Sequence, residues 1–483
     1  MANMVVIGAG LVGSLLSIFL ARRGHTVDVY ERLPDFSTMK PTSGRAINLT
    51  LCERGCKALD LVGVGDLVRG LSVPVYGRLI HSPRGELSYQ PYGNRGEAIY
   101  SIRRTDLNLA LLNHAKENFG SSFHFNQTLS GIDLQDVAIE MRHAESGEVI
   151  RRKAYKVFGS DGVFSAVRQQ LQRQTRFNYS QQYWEQGYKE LRIPDAAHYG
   201  WTSHKNVLHI WPRGNHMLMG FPNLDGSFTC SLHMNFEGDC SFDAIRAEAD
   251  LFNLFQESFP DALPAVGTLA EEFFTSPPNS MMGIKCSPWT VEDKVALIGD
   301  AAHSILPSYG QGANAGFEDC TVLDECLEKY GDDWHSVFAA YESRRKPNMD
   351  VMADLCIDHF TELRDLVGDS HFLLRKRVER KISQLYPEQY RDLYSMITFT
   401  DMPYTEALRI NREHSSIVDQ ITWLEAIEER LDSAEVEAFI ARSFEPKARS
   451  EGKSAVQFGD TEVKSGFRHS GCPWSVHTAR RVG

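Results

Sequence analysis

Six residues near the start, Gly8-Ala-Gly-Leu-Val-Gly13, constrain this chain more than any other feature. They follow a short apolar run, Met4 to Ile7, and open a small, apolar stretch that reaches Leu20. Thr26-Val-Asp-Val-Tyr30 reads as a second strand, closed by Glu31. Strand, glycine turn, helix and strand make a βαβ unit, which commits the chain to a parallel sheet. Gly8 permits the tight turn, Gly10 lets the backbone approach a pyrophosphate, and Gly13 allows close helix–strand packing. The helix start adds positive partial charge at the same place. Glu31 lies eighteen positions after Gly13. A carboxylate there accepts hydrogen bonds from ribose hydroxyls and repels a 2′-phosphate, so the implied nucleotide is FAD or NAD, not NADP.

Composition narrows the class around that unit. The 483 residues are 42% hydrophobic and 24% charged, ordinary globular usage with enough apolar chain to bury a core unaided. A net charge of −12 argues against a nucleic-acid binder, which needs a basic face. Nine cysteines are scattered with no CxxC pair, and Cys52 and Cys56 lack a second pair to complete a zinc site. They read as reduced thiols, and no plausible metal cluster is visible. No run of eighteen apolar residues occurs, and the motif at Gly8 leaves no room for a signal peptide. The expectation is a soluble, cytoplasmic protein with no membrane anchor.

Further along, Leu87 to Tyr92 reads as a short strand before the loop Gly93-Asn-Arg-Gly96. Between 120 and 235 the alternation shortens towards period two, as in Val207 to Trp211 and Ser227 to Leu232, which predicts a β-sheet layer. Val295 to Ile298 is another buried strand feeding Gly299-Asp300. The pattern is helical from Gly312 to about Tyr341 and mostly helical over 346–440. Residues 441–483 lose periodicity and read as a poorly ordered, mildly basic tail.

A second element separates FAD from NAD. Val295-Ala-Leu-Ile-Gly-Asp-Ala-Ala-His303, then Pro307, then Gly310-Gln-Gly-Ala-Asn314 opening a helix, resembles the FAD-dependent aromatic hydroxylases. Gly159-Ser-Asp161-Gly162-Val-Phe-Ser165-Ala-Val-Arg168 matches a third motif of that family, and all three stand in its order and spacing. Further strings resemble the kynurenine-hydroxylating branch, from residue 4 to about 415. They include Gly44-Arg-Ala-Ile-Asn-Leu49, Gln90-Pro-Tyr-Gly93, Tyr179-Ser-Gln-Gln-Tyr183, Leu208-His-Ile-Trp-Pro212 and Tyr394-Ser-Met-Ile-Thr-Phe399.

The resemblance implies an α/β protein with a discontinuous Rossmann-like FAD-binding domain over 1–70, 100–175 and 285–345. A substrate-binding β-sheet domain would span 71–99 and 176–284, followed by a helical region over 346–440. It implies non-covalent FAD, transient NADPH and O₂. The ring of L-kynurenine would be hydroxylated to 3-hydroxykynurenine as a flavin C4a-hydroperoxide delivers an electrophilic OH. The implied flavin contacts are Gly8, Gly10, Val12, Gly13, Tyr30, Glu31, Arg32, Leu33, Thr50, Arg104, Leu129 and Ala166. Asp300 would meet the ribityl chain, and the backbone N–H groups of Gly312, Ala313 and Asn314 the flavin ring. Arg104 would meet the pyrophosphate.

For the substrate, the resemblance implies Arg78 and Tyr92 at the amino-acid end, with Tyr394 beside them. It assigns no protein side chain as catalyst, because the chemistry belongs to the cofactor. Two positions depart from the family. His359 stands where the family has an asparagine, and as an unshifted histidine it would make substrate affinity depend on pH around roughly 6 to 7. Ser308 replaces an aromatic residue before the GQG turn and would enlarge the pocket; Tyr309 follows it. These departures keep open a sister hydroxylase acting on a modified kynurenine or another tryptophan-derived arylamine. A flavin-dependent halogenase lacks support, since its Trp-x-Trp-x-Ile-Pro signature is missing, and a non-catalytic binder would not need all three motifs. The oligomeric state is not written in the sequence.

Overall fold

The computed structural model describes residues 3–38, 48–93, 96–193, 204–362 and 370–444. The string from Gly44 is therefore outside the described residues up to Ile47, as are Asn94, Arg95 and the tail from 445.

The opening unit forms as the sequence dictates. Asn3–Ile7 pairs in parallel with Thr26–Tyr30 on one side and Lys156–Gly159 on the other. Val295–Leu297 continues the sheet in parallel beyond Lys156–Gly159, and Ser122–His124 extends it beyond Thr26–Tyr30. Met4, Val5 and Val6 are fully buried, as the middle of a parallel sheet covered on both faces requires. The helix Leu11–Arg22 packs against two others, Arg104–Phe119 and Gly312–Tyr330.

A second, seven-stranded sheet carries Gly77–His81 and Leu87–Pro91 at one end and Asn279–Ser287 at the other. Only Leu208–Pro212 with Gly77–His81 is parallel; its other pairings are antiparallel. Asn178–Ile193 is sixteen residues long and serves two neighbours. Its first part pairs with Asn279–Ser287, and its second part takes up Phe228–Asn235 as well. A three-stranded antiparallel sheet of Asn48–Leu51, Ile99–Arg103 and Val73–Val75 adjoins them.

The single helical stretch expected from Gly312 to Tyr341 is two helices, Gly312–Tyr330 and Trp334–Thr361. Gly331, at φ +58°, makes the break that a residue with a Cβ would resist. Asp333 restarts the second helix, its carboxylate accepting from the Ser336 N–H at 3.2 Å. The C-terminal part is helical, with Ser370–Leu385, Leu393–Thr398, Tyr404–Thr422 and Ala434–Phe444. Among the described residues all eight cysteines are free. No helix among them is long and apolar enough to cross a membrane.

Candidate active site

Two helix starts converge in one cleft. Leu11–Arg22 begins after Gly10 and Gly312–Tyr330 after Gln311; neither has a side-chain cap or an acidic residue in its first turn. The first N–H groups of both are thus left for something else. Elsewhere caps are supplied: Asp161 accepts from the N–H groups of Ala166 and Val167 at 2.6 and 3.1 Å, and Asp392 from that of Ser395. Val12 brings the two starts together, because a Cβ on Gly299 or Gly316 would lie 3.1 or 2.6 Å from its methyl group.

The glycine turn is built for an approaching backbone-sized ligand. Gly8 sits at φ +103°, and a Cβ there would meet the Ser160 carbonyl at 2.6 Å. A Cβ on Gly13 would come within 1.9 Å of the Gly8 carbonyl oxygen, so the third glycine is required by the turn itself. At Gly10 a Cβ would meet nothing within 4 Å; it would project into the open cleft. Glu31 accepts from the Ala9 N–H at 2.8 Å and the Leu33 N–H at 2.9 Å. A carboxylate has about four lone-pair sites, so it keeps room for ribose hydroxyls. Tyr30 is buried and stacks on His124, whereas Arg32 and Leu33 are exposed beyond it.

Asp300 reaches solvent, yet protein surrounds it closely enough that desolvation holds its carboxyl above the ordinary range. Arg104 and His303 lie beside it and pull its carboxyl the other way. Arg104 is exposed at the start of its helix and makes no ion pair among the described residues; its neighbour Arg103 binds Asp225 at 2.5 Å. Thr50 faces the Gly310 position, where a Cβ would stand 2.4 Å from its hydroxyl. The Asn314 side chain is consumed by the Thr50 and Gly310 carbonyls, at 2.7 and 2.8 Å, and by the Cys52 N–H at 3.0 Å. Only its backbone remains for a ligand. Leu129 is in the core, and Ala166 opens the helix that Asp161 caps. Free helix starts, a cradle at Gly10, an acceptor at Glu31 and an unpaired Arg104 fit a dinucleotide.

Beyond Gly310 the chemistry changes from polar to aromatic. The Arg78 guanidinium lies over Tyr394 at 4.5 Å and Tyr92 at 5.3 Å from the ring centroids. Tyr92 and Tyr394 stack at 5.6 Å, Tyr309 stacks on Tyr394 at 5.9 Å, and Phe399 closes the group. No carboxylate pairs with Arg78 among the described residues. Burial pushes the hydroxyls of Tyr92 and Tyr309 up, so both stay protonated.

His359 belongs to this group, 4.2 Å from Tyr309 between ring centroids and 6.3 Å from Tyr394. Its Nδ1 lies 3.1 Å from the Ser308 carbonyl. A carbonyl can only accept, so Nδ1 carries the proton and Nε2 offers a lone pair. The expected titration around pH 6 to 7 is overturned. Burial first, then the charges of Arg78 and Lys376, lower its pKa to about 3. The Ser308 hydroxyl donates to the Cys356 carbonyl at 2.7 Å, and the next residue, Tyr309, sets its buried ring against His359 and Tyr394. Tyr309 is the ring in this group that reasoning from sequence passed over, since it was read there only as the residue after Ser308.

A family described as FAD binding domain matches residues 1–355. The kynurenine 3-monooxygenase of Flavobacterium johnsoniae is 47% identical over 90% of this chain and 97% of its own length. The protein of the same name from Myxococcus xanthus is 40% identical over 87% of this chain and 90% of its own. The chain belongs to the kynurenine 3-monooxygenase family. Solved structures agree on the fold. A 2-methyl-3-hydroxypyridine-5-carboxylic acid oxygenase superimposes with TM-score 0.63 at 21% identity, over 76% of this chain and 94% of its own. A variant of HpxO from Klebsiella pneumoniae, complexed with FAD, gives 0.62 at 19%, over 78% and 93%. The match to the FAD binding domain spans the glycine turn, Glu31, Arg104, Asp300 and the Gly312 helix start.

Proposed function

We propose that this protein hydroxylates the ring of L-kynurenine to 3-hydroxykynurenine, using NADPH and O₂ in a cytoplasmic setting. The observation that carries this reading is Arg78, a largely enclosed guanidinium with no carboxylate partner among the described residues, set among tyrosines beside the cleft. The substrate carboxylate supplies the missing charge in a two-point contact. The lone pair on His359 Nε2 accepts from the substrate ammonium, and burial, with Arg78 beside it, keeps that imidazole neutral. Tyr92, Tyr309 and Tyr394 hold the aromatic ring and offer hydroxyls to its ketone and aniline edges.

FAD, when bound, would supply the redox and oxygen chemistry that the side chains lack. Gly8, Gly10 and Gly13 with the Leu11–Arg22 helix start, Arg104 and Glu31 would hold its dinucleotide part. Asp300 and the N–H groups of Gly312, Ala313 and Asn314 would hold its flavin part. The helix dipole at Gly312 favours negative charge on whatever oxygen faces it. Val75, Ile99, Leu208 and Ile210, packed round Tyr92, exclude water from the ring. In this reading segments 1–70, 100–175 and 285–345 grip the cofactor, and 71–99 with 176–284 bear the substrate.

The test is NADPH consumption and product mass with L-kynurenine beside substituted kynurenines, anthranilate and tryptophan. The reading expects L-kynurenine to give the highest kcat/KM and a product heavier by one oxygen atom. A substituted kynurenine or another arylamine preferred over it would move the assignment to a sister hydroxylase. Heat or acid should release free FAD, whereas flavin retained on the denatured chain would contradict non-covalent binding.

A further inference from the structure

A chain of buried charges runs between the two elements that face the cleft. Asp319 is fully buried, and its Oδ2 accepts from the Gly299 N–H at 3.0 Å and from His303 Nε2 at 2.6 Å. Its Oδ1 accepts from Arg345 Nε at 2.6 Å. Arg345 also meets Glu318 at 2.7 Å, and Glu318 meets Arg54 at 2.8 Å. Arg54 lies 4.1 Å from the centre of the Tyr404 ring, whose hydroxyl donates to Gln311 Oε1 at 2.9 Å. Gln311 is the residue from which the Gly312 helix starts. One end of this chain is the Gly299–Ala301 turn that presents Asp300; the other is the helix start that faces the same cleft.

Two arginines and two carboxylates balance, so the chain carries no net charge before His303 is counted. Burial alone would push the Asp319 carboxyl up, but His303 and Arg345 outweigh it and hold the carboxyl below its ordinary range. Buried ion pairs of this kind return little net stability against a well-packed apolar core, because desolvating each ion costs several kcal/mol. Their value lies in fixing geometry.

We propose that Asp319, with His303 as its contact to the turn, is a positioning residue for the flavin, holding Asp300 where the ribityl chain can reach it. Gly299 at φ +64° is a position where backbone freedom is high, and Asp319 is what ties its N–H. The inference rests on the flavin reading of the cleft and goes beyond it by naming residues that touch no ligand.

The experiment titrates FAD into apoprotein of the parent, Asp319→Asn, His303→Leu and His303→Gln, and records the melting temperature of each apoprotein. Asp319→Asn and His303→Leu should weaken FAD by about tenfold or more, the scale of one lost hydrogen bond to a charged group. His303→Gln keeps an N–H donor and should restore most of that affinity. The KM for L-kynurenine at saturating FAD should stay within about twofold of the parent, because Arg78 and the tyrosines are untouched. FAD affinity unchanged in both weakened variants, whatever their melting temperatures, would overturn the inference; so would His303→Gln binding as poorly as His303→Leu. If Asp319→Asn does not fold, the leucine and glutamine pair decides alone. A parent that bound no FAD would remove the flavin reading itself, a different failure from parent binding with unaltered variants.

Discussion

In the proposed site Arg78 and His359 share one substrate, and they answer to different tests. Arg78→Lys keeps a charge but loses the planar fork, so the KM for L-kynurenine should rise by about tenfold while bound flavin is unchanged. A fall in flavin content with KM unmoved would place Arg78 elsewhere. His359 has a pKa near 3 in the fold and is neutral at any pH well above that value. Its protonation therefore cannot shape kcat/KM between about pH 5.5 and 8.5. His359→Asn should shift the level of that profile and leave its form alone; a limb near pH 6 to 7 that only the parent shows would contradict the buried, neutral imidazole. The sequence could name these residues, since an arginine or histidine in a matched string keeps its place. It could not give their state. His359 is neutral because it is buried with Arg78 beside it, and the two are 281 positions apart in the chain.

The glycine turn separates folding from binding at the level of a single element. Gly10→Ala places a methyl group in open cleft at φ −72°, an angle any residue adopts. The protein should fold and melt as the parent does, yet take up FAD weakly, as flavin absorbance per chain would report. Gly13→Ala drives a methyl group onto the Gly8 carbonyl, an overpacking that costs about 1–3 kcal/mol, and should lower the melting temperature of the apoprotein. Equal melting of the two apoproteins would refute this division. Elements of this kind were legible because a short buried strand and its turn are local. The sixteen-residue strand Asn178–Ile193 was not, since its first half is exposed and shows no alternation to read. The break at Gly331 was hidden for the opposite reason, both helices sharing one apolar period across it.

Acid should weaken the whole molecule before it reaches the ordinary carboxylate range. His209 and His359 have pKa values near 3 and His233 near 4, each lowered chiefly by burial. Free imidazole titrates near 6.5, so between about pH 6.5 and 4 the unfolded chain binds protons that the folded one does not. Stability then falls with pH, by about 1.4 kcal/mol per unit for each such histidine. Asp161 and Asp300, whose carboxyls burial pushes up, act with the opposite sign and blunt the slope. Melting temperatures recorded from about pH 7.5 down to 5 should decline, and less steeply in His359→Asn; a flat record would show that these imidazoles are hydrated.

The two convergent helix starts also set a clock. Gly8 leaves the ribosome some 290 residues before Asp300, and the second helix start follows later still. At about 5–20 residues per second, the glycine turn spends roughly 15–60 s outside with no partner to complete its grip. Cofactor capture is thus confined to the last third of synthesis, and a nascent chain interrupted before Gly312 emerges as a half-built cleft that no supply of FAD can mend.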